Sequence, residues 1–504
     1  MKLILLCIFN FITLIITAQT KDGEQAAKKL EINIPVKADS SITMHEMIIK
    51  GQRIRYKAVA GTQPVLDEEG KAIASVFYTY YERTDVSNRN SRPLIISFNG
   101  GPGSASVWMH IAYTGPKVLN IDDEGFPVQP YGTKDNPNSL LDIADIVFID
   151  PVNTGFSRVT NKDVPRSKFF GVNADIKYLA EWLNSFMGRY NRWTSPKFLI
   201  GESYGTTRVS GLALELQSNQ WMYLNGVILV SPTELGMMRP GPVEDANAFP
   251  YYAATAWYHK KLSADLQQKD LTDMLPEVES FTLNELIPAF AKGSLLDDSK
   301  KRDIAIKMAR FSGLSVSSIL GHNLIIKPDF FWKELLRDTG FTVGRLDSRY
   351  RGIDAQYAGE KPDYNSELTS WLHSFTPAIN AYLRQDLNYK TDLKYNMFGP
   401  VHPWDNTGTN TDNTGENLRL AMAQNPYLHL LVQSGYYDGA CNYFDAKYNL
   451  WHIDPSGKMN NRMSWKGYRS GHMMYLRKQD LVSSTNDLRE FINNALPKDK
   501  PAKY

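Results

Sequence analysis

Two patterns of apolar residues follow one another along this chain. In the first, over residues 42–82, apolar and polar side chains alternate, which predicts strands with one face against a core. Pro and Gly at residues 63–71 predict a turn within this stretch. We therefore expect an antiparallel hairpin at the edge of a sheet.

The second pattern consists of short apolar runs rich in Ile, Leu and Val. Such runs predict strands buried on both faces, as in a parallel sheet. Helical patterns lie between them, the clearest over residues 176–186. Strand and helix in alternation predict an α/β fold, with a mostly parallel central sheet and helices on both faces. The predicted buried strands are residues 94–98, 143–149, 198–200, 227–230 and 428–432.

The alternation stops near Ser231, where a large insertion is predicted. Residues 233–389 are polar and amphipathic and lack the buried-strand pattern, so we expect a mainly helical cap over the sheet. The core is then expected in two parts, residues 42–232 and residues 390–496. A chain of 504 residues exceeds the usual size of one compact core, which fits this division.

The first residues have the layout of a secretory signal. Lys2 gives a positive start, and an apolar run continues to Ile16 before the expected cut. We expect residues 1–19 to be a signal peptide and residues 20–41 a polar leader, with a secreted or periplasmic protein that is free of the membrane. The alternative is an uncleaved anchor, although the run is short for a span of about 20 apolar residues.

Charge, cysteine content and the lack of metal-binding motifs limit the kinds of partner and cofactor that we expect. A formal net charge of +2 gives no electrostatic reason to expect nucleic acid. The two cysteines are Cys7 and Cys441, so signal removal would leave Cys441 alone, and we expect it to be a small buried hydrophobe. The sequence has no HExxH motif and no Cys/His ligand cluster, so we expect neither a metal nor another cofactor.

The sharpest local signal is GESYG at residues 201–205. It lies between a predicted strand and a predicted helix at residues 206–216. Its glycines allow a tight turn that lifts the serine oxygen clear of the sheet, and the helix directs its first amides at negative charge. We predict a nucleophile elbow with Ser203 as nucleophile. The alternative is a serine that caps a helix.

A serine nucleophile needs a base and an acid that orients the base. With this elbow the usual chain order is Ser, then Asp or Glu, then His. Asp438 lies just past a predicted buried strand, and His472 follows a predicted strand near the C-terminus. We predict these two as acid and base. Asp445 and Asp454 are alternative acids, and His452 is the alternative base.

A second glycine-rich stretch, NGGPG at residues 99–103, also follows a predicted buried strand. Glycines let backbone amides approach a charged oxygen closely. We predict an oxyanion hole formed by the amides of Gly101 and Tyr204. A plain turn is one alternative, and a phosphate loop is another, although the GK[ST] ending is missing.

Together these motifs resemble the serine carboxypeptidase family, which has the α/β-hydrolase fold. Some positions differ from the family pattern: Ser97 replaces a tryptophan, Arg158 a tyrosine and SAS at residues 104–106 a CSS, and the disulfides of the eukaryotic members cannot form. These differences fit a bacterial, envelope-located relative. The segments that carry the resemblance are NGGPG at 99–103, IDPVNTGFS at 149–157, GESY at 201–204, GYYD at 435–438 and SGHM at 470–473.

The resemblance implies acyl transfer through an ester on Ser203 and removal of one residue at a time from peptides with a free C-terminus. It also implies that Asn99 and Glu202 hold the terminal carboxylate of the substrate. We therefore expect a serine-type carboxypeptidase. The alternatives are an esterase or acyltransferase on the same scaffold, and a non-catalytic binding protein with a hydrolase fold.

Overall fold

The computed structural model describes residues 39–497 and Pro501. The predicted signal peptide, residues 1–19, and most of the predicted leader lie outside the described residues. Within the described ranges, no helix is long and apolar enough to cross a membrane.

A mixed sheet of ten strands runs through the described part of the chain, and two small two-stranded sheets accompany it. The strands are β1 (Ser40–Ile49), β2 (Gln52–Leu66), β3 (Ala72–Arg83), β4 (Leu94–Phe98), β5 (Lys117–Leu119), β6 (Thr133–Asp135), β7 (Asp145–Ile149), β8 (Arg158–Val159), β9 (Lys197–Glu202), β10 (Gly226–Val230), β11 (Thr342–Val343), β12 (Arg351–Gly352), β13 (His429–Gly435) and β14 (Met463–Tyr468).

The main sheet has the order β1-β2-β3-β7-β4-β9-β10-β13-β14, and β8 pairs with β3 beside this path. Every pair from β7 to β14 is parallel, whereas β1, β2 and β3 form an antiparallel meander that joins β7. The predicted fold class, a mostly parallel sheet with an antiparallel edge, is confirmed.

The edge has three strands where sequence analysis predicted a two-stranded hairpin. The additional turn lies at Lys50 and Gly51, whose φ angles of 49° and 80° both fall in the left-handed region. A two-residue hairpin turn of this kind usually carries Asn or Asp before Gly. Lys50 does not fit that pattern, so the turn was missed.

Helices pack on both faces of the sheet. The α-helices are α1 (Val107–His110), α2 (Val172–Tyr190), α3 (Tyr204–Asn219), α4 (Pro242–Asn247), α5 (Phe249–Tyr258), α6 (Ala264–Gln267), α7 (Leu271–Phe281), α8 (Ile287–Lys292), α9 (Asp298–Ser312), α10 (Val316–Gly321), α11 (Pro328–Glu334), α12 (Ser366–Ala381), α13 (Thr414–Gln424), α14 (Tyr443–Ile453) and α15 (Lys478–Ala495). Short π-helices at Thr282–Leu286 and Tyr382–Asp386 follow α7 and α12 directly.

Side chains of the parallel strands alternate between two apolar cores. Ile95 of β4 lies in one core with residues of α12 and α15, whereas Leu94 and Ile96 lie in the other with residues of α2 and α3. Burial on both faces explains why these strands are continuous runs of Ile, Leu and Val in the sequence.

Helices α4 to α11 surround a third apolar core, inside the predicted insertion. This core also contains Tyr436 and Tyr437, which immediately precede the predicted acid Asp438. The insertion therefore packs against the loop that carries the acid. The boundaries of the insertion at residues 233 and 389 stay a prediction. Helix α12 lies within these boundaries, but it contributes to the core of the main sheet.

Candidate active site

The GESYG segment forms a sharp turn between β9 and α3, with Ser203 at its apex. Ser203 has φ 57° and ψ −130°, a strained conformation for a residue with a side chain. A Cβ on Gly201 would lie 2.1 Å from the carbonyl oxygen of Gly205, so the turn is too tight for any other residue there. This is the geometry expected of a nucleophile elbow.

Backbone contacts hold the elbow against the neighbouring strand β10. The Ser203 amide donates to the carbonyl oxygen of Val230 at 3.0 Å. The Thr206 amide and hydroxyl both donate to the carbonyl oxygen of Ser203, at 2.8 and 2.6 Å. The strained residue is thus fixed from both of its peptide groups.

Asp438 and His472, the predicted acid and base, lie together. Asp438 Oδ2 accepts a hydrogen bond from His472 Nδ1 at 2.7 Å, and both side chains are buried. Asp438 Oδ1 accepts from the amides of Ala440 and Cys441 at 2.9 and 3.0 Å. This bond places the proton on Nδ1 and leaves Nε2 of His472 as the basic nitrogen.

Opposing influences act on the pKa of His472. Burial, the largest, disfavours the cation, but the charge and hydrogen bond of Asp438 outweigh it and raise the pKa above 6.5. Glu202 adds to the rise, and Arg345 opposes it. A protonated His472 is therefore stabilised by Asp438.

Ser231 connects His472, the predicted base, to Ser203, the predicted nucleophile. The Ser231 hydroxyl donates a hydrogen bond to the carbonyl oxygen of His472 at 2.7 Å. Ser231 directly follows Val230, whose carbonyl oxygen accepts the hydrogen bond from the Ser203 amide. Ser203 and His472 are thus held by two consecutive residues at the end of β10.

The alternative residues have partners of other kinds. Asp445 accepts from Asn247, and Asp454 accepts from the Ser456 hydroxyl at 2.7 Å and closes a turn. His452 Nδ1 is hydrogen-bonded to the carbonyl oxygen of Tyr448 at 2.7 Å on an exposed helix end. Geometry therefore favours Asp438 and His472.

The NGGPG loop comes very close to the elbow. A Cβ on Gly100 would lie 2.4 Å from the amide nitrogen of Tyr204, so only glycine fits there. Gly101 has φ 109°, a conformation that also favours glycine. Tyr204 is the first residue of α3, where the amide has no acceptor within its own helix. The loop thus brings Gly101 into the neighbourhood of a free helix amide.

Asn99 and Glu202 form a buried hydrogen-bonded pair, and Glu202 directly precedes Ser203 in the chain. Asn99 Nδ2 donates to Glu202 Oε1 at 3.0 Å, and the side chains are 0% and 3% exposed. Tyr475 was not predicted, and its hydroxyl donates to Glu202 Oε2 at 2.5 Å. Tyr475 follows His472 by three residues, but no pattern in the sequence connects it to Glu202.

The Glu202 carboxyl has a strongly shifted pKa. Burial raises it to about 7, and the nearby charge of Asp438 also raises it. His472, Tyr475 and Asn99 lower it and limit the shift. Glu202 therefore changes charge near neutral pH.

A segment of the predicted insertion, residues 345–349, contacts both the loop of Asp438 and the loop of His472, and we call it the bridge segment. The carbonyl oxygen of Leu346 accepts from the His472 amide at 2.7 Å. The Arg345 carbonyl accepts from the Gly439 amide at 2.9 Å, one residue after Asp438. Nothing in the sequence indicated this segment, because it depends on contacts between distant parts of the chain.

Asp438, Cys441 and His472 could place one ligand atom each within 4.8 Å of one another. Burial raises the pKa of Cys441 well above its usual value and keeps the thiol neutral, whereas a metal binds the thiolate. Asp438 and His472 already satisfy each other. We interpret the cluster as the acid–base pair with a neutral neighbour.

The sequence profile of the serine carboxypeptidase family matches residues 55–469. Pheromone-processing carboxypeptidase KEX1 of Saccharomyces cerevisiae is 30% identical over 144 residues, which cover 27% of this chain and 19% of that protein. Retinoid-inducible serine carboxypeptidase of Rattus norvegicus is 30% identical over 144 residues, 28% of each chain. The chain thus aligns with less than a third of the length of these two relatives.

A solved structure extends the similarity over nearly the whole fold. The crystal structure of KEX1(delta)p, a prohormone-processing carboxypeptidase from Saccharomyces cerevisiae, superposes with a TM-score of 0.54. The superposition covers 89% of this chain and 93% of that one, at 17% identity. At this identity the similarity concerns the fold.

Proposed function

This chain belongs to the serine carboxypeptidase family, and on that premise we propose that it hydrolyses C-terminal peptide bonds through an acyl-enzyme on Ser203. The observation that carries the proposal is the buried 2.7 Å hydrogen bond between Asp438 and His472, beside a strained elbow that presents Ser203. A serine, its base and the orienting acid are the minimum set for this chemistry.

Acylation begins when Ser203 Oγ attacks the carbonyl carbon of the last peptide bond. The hydroxyl proton passes to Nε2 of His472, and Asp438 stabilises the resulting imidazolium. The amides of Gly101 and Tyr204 are the proposed donors to the negative oxygen of the tetrahedral intermediate. The C–N bond then breaks, the leaving amine takes the proton from His472, and the shortened peptide remains as an ester on Ser203.

Deacylation repeats these steps with water. His472 removes a proton from the water, whose oxygen attacks the ester carbonyl. The ester bond breaks, Ser203 Oγ recovers the proton from His472, and the shortened peptide leaves with a new carboxylate. The same two amides serve both tetrahedral intermediates.

Asn99 and Glu202 are the proposed binding residues for the terminal carboxylate. A neutral Glu202 can donate a hydrogen bond to a carboxylate, whereas an ionised one repels it. With a pKa raised by burial to about 7, Glu202 is neutral in mildly acidic solution. Exopeptidase activity is therefore expected to favour mildly acidic pH.

Two further proposals concern the insertion and the location of the protein. The insertion at residues 233–389 is proposed to shape the pocket for side chains beside the cleaved bond, because its core packs on the acid loop. Secretion or periplasmic location is proposed from the layout of residues 1–19. N-terminal sequencing of protein from separated cell fractions tests the location.

The activity is tested by incubating the purified protein with a set of peptides and measuring the masses of the products by mass spectrometry. We expect ladders that lose one C-terminal residue at a time, and no ladders with Ser203→Ala. Neutral esters are assayed in parallel. Efficient ester cleavage without any shortened peptide would overturn the carboxypeptidase proposal in favour of an esterase.

A further inference from the structure

The bridge segment places Arg345 between the two catalytic loops. Its carbonyl oxygen is bonded to Gly439, next to Asp438, and that of the following residue is bonded to the His472 amide. The backbone of Arg345 is therefore one residue away from direct contact with the base.

Hydrogen bonds and an ion pair also hold the bridge segment in place. Leu346 donates its amide to Glu367 Oε1 at 2.8 Å. Arg349 and Asp347 form a buried ion pair at 2.6 Å, and Arg349 Nη2 reaches the hydroxyl of Ser470 at 3.0 Å. Arg345 thus starts from a rigid backbone, which is what a binding side chain requires.

The side chain of Arg345 differs from that of Arg349, the other arginine of the bridge segment. It is exposed, whereas Arg349 is buried. Within the described part of the chain its guanidinium forms no ion pair, although Arg310, Arg337 and Arg349 each have a carboxylate partner. An exposed, unpaired guanidinium on a rigid support is available to an anion from solution.

The charge of Arg345 acts on the catalytic site. For His472 the strongest influences on the pKa are burial and Asp438, and Arg345 lowers that pKa. A fixed cation here opposes formation of the imidazolium during acylation. A bound carboxylate would neutralise this cation at the moment when His472 becomes charged.

We propose that Arg345 binds a carboxylate of the substrate and is a specificity-determining residue, an inference that rests on the proposed function. That carboxylate is either the C-terminal group or an acidic side chain beside the cleaved bond. Arginine binds carboxylates more strongly than a neutral donor does, because its hydrogen bonds are assisted by charge.

The properties of Asn99 and Glu202 are compatible with a further residue that binds the carboxylate. Both side chains are nearly inaccessible, and Glu202 becomes anionic as pH rises through about 7. Above that pH the buried pair repels a terminal carboxylate, and Arg345 supplies the attraction that the pair has lost.

The test compares wild type, Arg345→Gln and Arg351→Gln. Arg351 is a matched control, an exposed arginine of the same insertion that lies over the Phe341 ring. One substrate pair ends in Glu or Gln, and the other carries a free C-terminus or a terminal amide. For each compound kcat/KM is measured, together with its ability to slow labelling of Ser203 by an organophosphonate probe.

We expect wild type and Arg351→Gln to prefer the carboxylate member of at least one pair by about tenfold, the size of one charge-assisted hydrogen bond. Arg345→Gln should reduce that preference to near unity for the pair that ends in Glu or Gln, and for the terminus pair to the part that Asn99 and Glu202 supply. The substrate pair whose preference changes in Arg345→Gln shows whether Arg345 binds the C-terminal carboxylate or an acidic side chain. Equal preferences in wild type and Arg345→Gln for both pairs, or no preference in wild type, would overturn the proposal. If no peptide is cut, the proposed function fails, while protection from labelling still decides the role of Arg345.

Discussion

The backbone amide of His472 donates a hydrogen bond to the carbonyl oxygen of Leu346 at 2.7 Å. Leu346 belongs to the predicted insertion, so a residue outside the sheet holds His472, the proposed base. Most of the insertion can be expected to influence only which peptides bind. The bridge segment is different, because a change there alters the position of His472.

Arg349→Met tests this role. Loss of the guanidinium leaves Asp347 charged and buried without its partner, and we expect a loss of about 3–5 kcal/mol in the free energy of unfolding. The rate of probe labelling at Ser203 should also fall, because the contact with Ser470 is lost. Urea denaturation and labelling kinetics measure the two effects.

The double variant Asp347→Leu, Arg349→Met is the control for that experiment. Removal of both charges should restore most of the stability, since no unpaired charge stays buried. The labelling rate should remain low, because the link to Ser470 is still missing. Recovery of both quantities would mean that the pair acts through stability alone.

Ser203→Ala should lose turnover by about a millionfold, because the serine, base and acid act as a unit. His472→Ala should cause similar damage, since Asp438 would have no base to orient. Peptide and ester hydrolysis are measured beside thermal unfolding, which should change little for Ser203→Ala. His452→Ala is the matched control, and a larger loss there than in His472→Ala would move the base to His452.

Glu202→Gln should remove a dependence of KM on pH. Wild-type Glu202 is neutral below its pKa of about 7 and ionised above it, so KM for peptides with a free C-terminus should rise as pH passes that value. Glutamine donates a hydrogen bond without titrating, so its KM profile should be flat. Identical KM profiles for the two proteins would show that Glu202 does not sense the substrate carboxylate.

The same titration affects stability. Burial raises the folded-state pKa of Glu202 above the ordinary 4.5, so its contribution to the free energy of unfolding is present below 4.5 and is lost as pH rises through about 7. Glu202→Gln should therefore lose less stability than wild type between mildly acidic and mildly alkaline pH. Parallel losses in urea denaturation series would contradict the shifted pKa.

Tyr475→Phe should move the KM profile to higher pH. The Tyr475 hydroxyl donates to the Glu202 carboxylate at 2.5 Å and stabilises its ionised form. Without that bond the pKa of Glu202 rises further, and the range of tight binding extends upward. Tyr113→Phe is the control, because Tyr113 stacks on Tyr475 but donates its hydroxyl to Gln433. A profile shifted equally by both variants would point to general repacking.

The fold class and the relation of Asp438 to His472 could be predicted because each has a local cause. Continuous Ile, Leu and Val runs follow from burial on two faces, and the ends of parallel strands meet at one edge. The GESYG glycines mark a turn that is too tight for a Cβ, and this constraint is visible in the sequence itself.

The bridge segment and Tyr475 could not be predicted for the opposite reason. Leu346 contributes a carbonyl group, which every residue has, so its identity carries no signal. Tyr475 has the side chain of an ordinary core residue, and its hydroxyl matters only because folding brings it to Glu202. The extra edge turn at Lys50 was missed because its residue type is uncommon there.

The bridge between Leu346 and His472 also has a consequence for biosynthesis. Ser203, Leu346, Asp438 and His472 leave the ribosome in that order, and the base comes last. A nascent chain that already carries the folded elbow has neither its base nor the contacts that hold it. If His472 is the base that we propose, the growing polypeptide has no hydrolytic activity until the final strand and its loop have been translated and docked.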